Sequence, residues 1–138
     1  MDVSYEELKE FIRETRAKAE RLNKERNAYA LSTPILDEGT VLDEDKSVRW
    51  NREEVMRRNR SRGGKLAAYT AKINQCDRDV NDKIIDYLCS EFKFGKAVAR
   101  VVFREAYEDG YHAGYEEVAA HAHNYGLFAE RVLDACDL

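Results

Sequence analysis

Apolar residues recur at intervals of three and four along most of this chain, and its single proline is Pro34. Such spacing is typical of amphipathic helices, which an interior proline would break. It runs over residues 4–29, 66–92 and about 96–122, with a short further stretch around residues 127–135. We therefore predict an all-α fold, an elongated helical bundle of three long helices plus short helices. The second helix alone would span about 40 Å, more than we expect for a compact domain of this size.

Residues 31–50 interrupt this periodicity. The stretch Ile35–Leu42 has the pattern of a small β-hairpin with Gly39 in its turn. We expect residues 31–50 to be partly extended or a small β-hairpin, and an irregular connection is equally compatible with their sequence. A length of 138 residues is typical of one domain. We therefore predict a single helical domain over residues 1–138, in which residues 31–50 are a connector.

The segment of residues 49–65 is strongly basic, although the whole chain carries a net charge of −4. Asn51 and Glu54 have the spacing of a capping box, which predicts that a helix begins here. Two consecutive glycines, Gly63-Gly64, together disfavour a helix by about 2 kcal/mol relative to alanine. We therefore predict a short basic helix that ends at these glycines in a helix break.

The basic side chains of this segment indicate a surface for a macromolecular partner. Arginine binds phosphate oxygens well, so nucleic-acid binding is one hypothesis. Residues 105–138, however, are strongly acidic, and the basic helix could instead pair with them, within the chain or between subunits. A dedicated nucleic-acid-binding protein usually has no acidic third, so we favour a protein partner. The predicted partner-binding residues are Arg52, Arg57, Arg58, Arg60, Arg62 and Lys65.

Small and aromatic residues form two parallel ridges between residues 106 and 115 if this stretch is helical. A glycine inside a helix costs about 1 kcal/mol, so we expect a second helix to pack closely on the small-residue ridge. That helix belongs either to the same bundle or to a second subunit or target protein. Alternatively, Gly110 ends one helix and another helix begins after it. The predicted contact residues are Ala106, Tyr107, Gly110, Tyr111, Gly114 and Tyr115.

The sequence carries no motif for catalysis or metal binding. It contains no G-x-S-x-G, no P-loop, no G-x-G-x-x-G and no Glu-x-x-His pair. Its three cysteines lack C-x-x-C spacing, which indicates reduced thiols rather than disulfides or a zinc site. We therefore expect no catalytic residues, no metal and no cofactor. The one enzymatic alternative is a metal-dependent all-helical nucleotide hydrolase with the carboxylates of Asp79, Asp82, Glu105 and Glu108.

The overall composition favours a binding function in the cytoplasm. The chain begins with an acidic stretch unlike a secretory signal, and no apolar run approaches the roughly 20 residues that cross a membrane. Small, highly charged helical proteins without motifs are typical of phage and mobile-element accessory proteins, including inhibitors of host enzymes. We therefore predict a cytoplasmic, non-catalytic interaction protein, a homo-oligomer without membrane contact, that binds a macromolecular partner.

Overall fold

The computed structural model describes the backbone of residues 3–136 and the side chains of residues 3–132. Within these residues the chain forms four α-helices and one 3-10 turn, and no residue lies in a β-strand. The all-α class is thereby confirmed. No helix in this part of the chain is long and apolar enough to cross a membrane. The elements are α1 (Tyr5–Ser32), α2 (Val48–Phe92), α3 (Lys96–Gly110), the 3-10 turn (Tyr111–Ala113) and α4 (Tyr115–Cys136).

The chain divides into two compact units, and α1 and α2 each contribute to both. We call Met1–Lys18 with Cys76–Leu138 the core unit, and Ala19–Gln75 the connector unit. The connector unit contains the end of α1, the beginning of α2 and the segment that joins these helices.

A cluster of apolar side chains from all four helices forms the interior of the core unit. On α2, the buried residues Val80, Ile84, Tyr87 and Leu88 follow the three- and four-residue spacing of one helix face. Several partners on the other helices are alanines, and small side chains allow helix axes to approach closely. The buried partners are Leu8 and Ile12 of α1, Ala99, Val102 and Ala106 of α3, and Val118, Ala119 and Ala122 of α4.

Local sequence signals explain both ends of α1. Ser4 accepts a hydrogen bond at Oγ from the Glu7 N–H at 3.1 Å, which satisfies one of the free amide groups at the helix start. At the other end, Pro34 disfavours helical backbone at the residue before it, Thr33. The helix accordingly ends at Ser32.

α2 is one helix of 45 residues, so the predicted break at Gly63-Gly64 is wrong. The helix also begins before Asn51, because the Trp50 N–H donates to Ser47 Oγ at 3.0 Å and Ser47 therefore caps it. The two glycines cost about 2 kcal/mol in a helix. A break, however, would create two further helix ends with about eight backbone groups to satisfy. We attribute the continuity of α2 to this larger penalty.

Replacing Gly63 and Gly64 with alanine is expected to stabilise the protein. A Cβ added at either position meets no atom within 4 Å, so alanine improves helix propensity without a clash. The free energy of unfolding should rise by about 1 kcal/mol per substitution, as measured by urea unfolding followed by circular dichroism. Gly114→Ala is the matched control and should destabilise, because Gly114 has a φ of 106°. Destabilisation by the first two substitutions would contradict a continuous α2.

Residues 33–47 form an irregular connection without a β-strand, as in the irregular alternative, and the small β-hairpin is not confirmed. Two tight turns shape the connection: the Thr40 N–H donates to Asp37 O at 3.0 Å, and the Lys46 N–H donates to Asp43 O at 3.1 Å. Further backbone groups of the segment bond to side chains of α2 instead of to a second strand. Because those side chains satisfy the backbone, no strand pairing is needed.

The predicted long helix from residue 96 past residue 122 is two helices, as in the alternative in which Gly110 ends the first. The 3-10 turn follows Gly110, and the φ of 106° at Gly114 is incompatible with a right-handed helix. α4 then continues to Cys136 and includes the separate short helix that we predicted. The α-helices therefore have 28, 45, 15 and 22 residues, instead of three long helices plus short ones.

Candidate functional site

Arg57 and Arg58 of the basic segment pair with Glu54 on the same helix. Arg57 binds this carboxylate through two N–H groups, with Nη2 2.5 Å from Oε1 and Nε 3.0 Å from Oε2. Arg58 donates from Nε to Oε1 at 3.2 Å. The hydrogen bond from Arg57 is the main cause that lowers the pKa of Glu54 to about 2. Two of the predicted partner-binding arginines therefore share one carboxylate that is charged at neutral pH.

Arg62 and Lys65 contact the end of α1. Arg62 donates from Nε to the Thr33 carbonyl oxygen at 2.5 Å and from Nη2 to the Ala30 carbonyl oxygen at 3.3 Å. The last carbonyl groups of a helix have no partner within it, and a basic side chain favours this negative end of the helix dipole. The Lys65 ammonium lies 4.7 Å from the centre of the Tyr29 ring, in a cation–π contact. Both residues thus stabilise the connector unit.

Arg52 and Arg60 are exposed on α2. Arg52 lines a groove of the connector together with Glu38, Glu44 and Lys46. The predicted basic residues therefore have different contacts: Arg57 and Arg58 share a carboxylate, and Arg62 and Lys65 contact the end of α1. All six except the half-buried Arg62 are exposed.

Asn51 organises the connector, a role that we did not predict from the sequence. Its side chain is buried and makes four hydrogen bonds to backbone. Oδ1 accepts from the N–H groups of Leu42 at 2.7 Å and Asp43 at 3.0 Å. Nδ2 donates to the carbonyl oxygens of Asp43 at 3.1 Å and Ser47 at 3.0 Å. One amide thus satisfies backbone groups on both sides of the turn that leads into α2.

Asn59 repeats this arrangement two turns later on α2. It accepts from the Leu36 N–H at 2.9 Å and donates to the Leu36 carbonyl oxygen at 3.0 Å. Four residues of α2 follow one another at intervals of four, four and three and therefore share one face of the helix. They are Asn51, the buried Val55, Asn59 and Arg62. This spacing could have revealed the face from the sequence, but its members are mostly polar and do not form an apolar stripe.

The close helix packing predicted at Gly110 occurs between α3 and α4. Ala106 and Gly110 are buried, and a Cβ added to Gly110 would lie 2.9 Å from the backbone nitrogen of Val118 and 3.0 Å from the carbonyl carbon of Glu117. Within the described residues, this part of the small-residue ridge therefore packs against the same chain. Gly114 does not continue the ridge, since it lies in the turn between the helices.

The three predicted tyrosines surround a small cavity beside that turn. The ring centres of Tyr107 and Tyr111 are 5.3 Å apart, and those of Tyr107 and Tyr115 are 6.4 Å apart. The cavity has a volume of about 270 Å³. We call it the tyrosine pocket, and its lining residues are Asp77, Tyr107, Tyr111, Gly114, Tyr115 and Val118.

A second concave surface lies between α3 and α4, and its lining is entirely apolar. This groove has a volume of about 470 Å³. Its most exposed side chains are Val101, 57% exposed, and Phe128, 69% exposed. We did not predict it, although the helical spacing of Val98 with Val101 and of Phe128 with Val132 was visible in the sequence. We call it the apolar groove, and it is lined by Ala97, Val98, Val101, Val102, Phe128, Ala129 and Val132.

His123 and Asp109 make side-chain contacts within the core unit. Nδ1 of His123 lies 2.5 Å from the Tyr87 hydroxyl, and its ring stacks on Tyr5 with centres 4.6 Å apart. The Tyr125 hydroxyl donates to Asp109.

Among the residues that the structure describes, no group of three or more His, Cys, Asp or Glu side chains could hold a metal ion. The four carboxylates of the hydrolase alternative are therefore not assembled into such a group. Cys76 and Cys89 are free thiols, whereas the Cys136 side chain lies outside the described residues.

Comparison with known proteins yields no relative: no protein-family model, no curated protein and no solved structure matches this chain.

Proposed function

We propose that this chain acts by binding rather than by catalysis, as a helical protein that pairs with a second copy of itself through the apolar groove. The observation that carries this proposal is the concentration of exposed valine and phenylalanine side chains along α3 and α4. Burying one such side chain completely contributes about 1.5–3 kcal/mol. An apolar groove formed by two helices is also the kind of surface that accepts an apolar helix face.

The charges along α3 support a second copy as the partner. Its exposed charged residues are basic in the first nine positions and acidic in the last six. Two α3 helices that pair antiparallel about a twofold axis would therefore place the basic half of each beside the acidic half of the other. The apolar groove lies on the basic half of α3, so this pairing would place the groove of each copy beside the acidic half of α3 in the other. The charged residues are Lys96, Arg100, Arg104, Glu105, Glu108 and Asp109.

Phe128→Asp is expected to convert the dimer into a monomer, because it places a charge inside the buried apolar surface. The dimer constant should weaken at least about tenfold, the effect of losing one well-buried aromatic contact, as measured by sedimentation velocity at several concentrations. Leu31→Asp is the matched control, since Leu31 is 84% exposed and lies outside the groove. It should leave the association unchanged. A wild-type chain that stays monomeric at high concentration would refute the proposal.

Charge reversal tests the antiparallel pairing separately. A variant with Lys96→Glu and Arg104→Glu has a predominantly acidic α3 that keeps Arg100, and a variant with Glu105→Lys and Glu108→Lys has a predominantly basic one that keeps Asp109. Each variant alone should associate less than the original chain, and an equal mixture should form a mixed dimer. If the variants associate as the original chain does, α3 does not pair in this way.

A nucleic-acid function receives less support from the basic segment. Arg57 and Arg58 share the charge of Glu54, and Arg62 and Lys65 contact the end of α1. A macromolecular target in addition to the second copy, such as a host enzyme, stays a prediction from the character of the sequence.

A further inference from the structure

The tyrosine pocket combines aromatic walls with one carboxylate. Tyr107 and Tyr111 are nearly parallel, with 22° between their ring planes, and Tyr115 is inclined to Tyr107 by 49°. The rings therefore present differently oriented surfaces around the cavity. Asp77 enters the lining from α2, and none of the lining residues is basic. Aromatic faces carry partial negative charge, so rings and carboxylate both favour a cation.

The surroundings of Asp77 add to this preference. Burial, followed by the negative charge of Asp77 and the neighbouring Tyr107, raises the pKa of Tyr115 to about 12. The Tyr115 hydroxyl therefore stays neutral at physiological pH. Asn81, one turn beyond Asp77, also bonds to Tyr115, and its Oδ1 is buried without a hydrogen-bond partner in the described structure.

The beginning of α4 lies beside the pocket, and a helix start can attract anions. Two observations oppose an anion here. The N–H groups of Glu117 and Val118 already donate to the Gly114 carbonyl oxygen, both at 3.1 Å. Glu116 and Glu117 also place two acidic residues in the first turn of α4, where they offset the positive end of the helix dipole.

We propose that the tyrosine pocket binds a methylated ammonium group, with its methyl groups against the tyrosine rings and its charge balanced by Asp77. A methylated ammonium presents apolar surface together with a positive charge, which suits rings and Val118 better than a bare ammonium does. The volume of about 270 Å³ is below the roughly 300–1,000 Å³ of pockets for drug-sized ligands, so a small head group fits it. Such a group occurs in free cations such as choline and on trimethyllysine side chains.

The test titrates the full-length, isotope-labelled protein with choline and with 3,3-dimethylbutan-1-ol, its uncharged carbon isostere. Choline should shift the amide resonances of Gly114, Tyr115 and Val118 with saturation. The neutral isostere should bind at least about fivefold more weakly, the loss expected when a cation–π contact loses its charge. A short peptide with trimethyllysine, compared with its unmodified form, distinguishes a peptide ligand from a free cation.

Matched variants separate the pocket from general effects of mutation. Asp77→Asn and Tyr111→Leu should each weaken choline binding several-fold. Asp82→Asn, at another exposed position of α2, and Tyr69→Leu, in the connector unit, should leave it unchanged. Melting temperatures establish that each variant is folded. Comparing choline binding by Tyr111→Leu and Tyr111→Phe shows whether binding depends on the aromatic ring or on the hydroxyl.

Three outcomes would overturn the proposal. Equal binding of choline and its isostere would show an apolar site, and unchanged binding by Asp77→Asn would place the cation elsewhere. Saturable shifts with inorganic phosphate but not with choline would show an anion site at the start of α4. The pocket shares no residue with the apolar groove, so this test is independent of dimer formation.

Discussion

Gly110→Leu is expected to destabilise the protein by about 3 kcal/mol or more, the upper range for overpacking a well-packed site. The Cβ alone would lie 2.9 Å from the backbone nitrogen of Val118. A flexible side chain could move away from such a contact, but the backbone of α4 cannot move without disturbing the core around Val118 and Ala122. Urea unfolding followed by circular dichroism measures the change.

Gly63→Leu is the matched control for this substitution. It also introduces leucine in place of a helical glycine, but a Cβ at Gly63 meets nothing within 4 Å. It should therefore be neutral or stabilising. If Gly110→Leu and Gly63→Leu had the same effect, α3 and α4 would not be packed closely at Gly110.

Asn51→Ala is expected to destabilise the protein by about 3 kcal/mol, because it removes four hydrogen bonds at a buried position. The loss is smaller than the sum of four bonds, since water can reach part of the released backbone. The amide protons of Leu42 and Asp43 should exchange with solvent much faster in the variant. Hydrogen exchange followed by nuclear magnetic resonance measures this local effect, and urea unfolding measures the global one.

Asn74→Ala provides the comparison, because Asn74 is an exposed asparagine on the same helix. It should change the free energy of unfolding by less than about 0.5 kcal/mol. Asn51→Asp should be intermediate, since it keeps the acceptor for Leu42 and Asp43 but loses the two donors. Unchanged exchange at Leu42 and Asp43 in Asn51→Ala would contradict the role that we assign to Asn51.

The basic segment shows why a charge pattern is a weak guide to function. Its arginines suggested one binding surface, but Arg57 and Arg58 share Glu54 and Arg62 contacts the end of α1. Charge is a property of each residue, whereas the partner of an arginine depends on which face of the helix meets another segment. The acidic partner in the observed pairs of Arg57 and Arg58 belongs to the same helix, three and four residues away.

Features that depend on neighbouring residues could be predicted from the amino-acid sequence. Apolar spacing predicted the helical class and the buried face of α2 around Ile84, and Ser4 and Pro34 marked the ends of α1. Glycine at position 110 indicated a close approach before the partner was known. Each of these features depends on residues a few positions apart, so the spacing of side chains along the chain is enough to predict it.

Features that join distant parts of the chain depend on how the helices pack in three dimensions. The chain reverses at Gly114, which brings α4 back along α3 and so creates the apolar groove. The same reversal, together with Asp77 of α2, forms the tyrosine pocket. α2 likewise continues through Gly63 and Gly64 although the two glycines locally disfavour a helix. A break there would add two helix ends with unsatisfied backbone groups. These outcomes depend on competing energies summed over many residues, and a local pattern does not contain that sum.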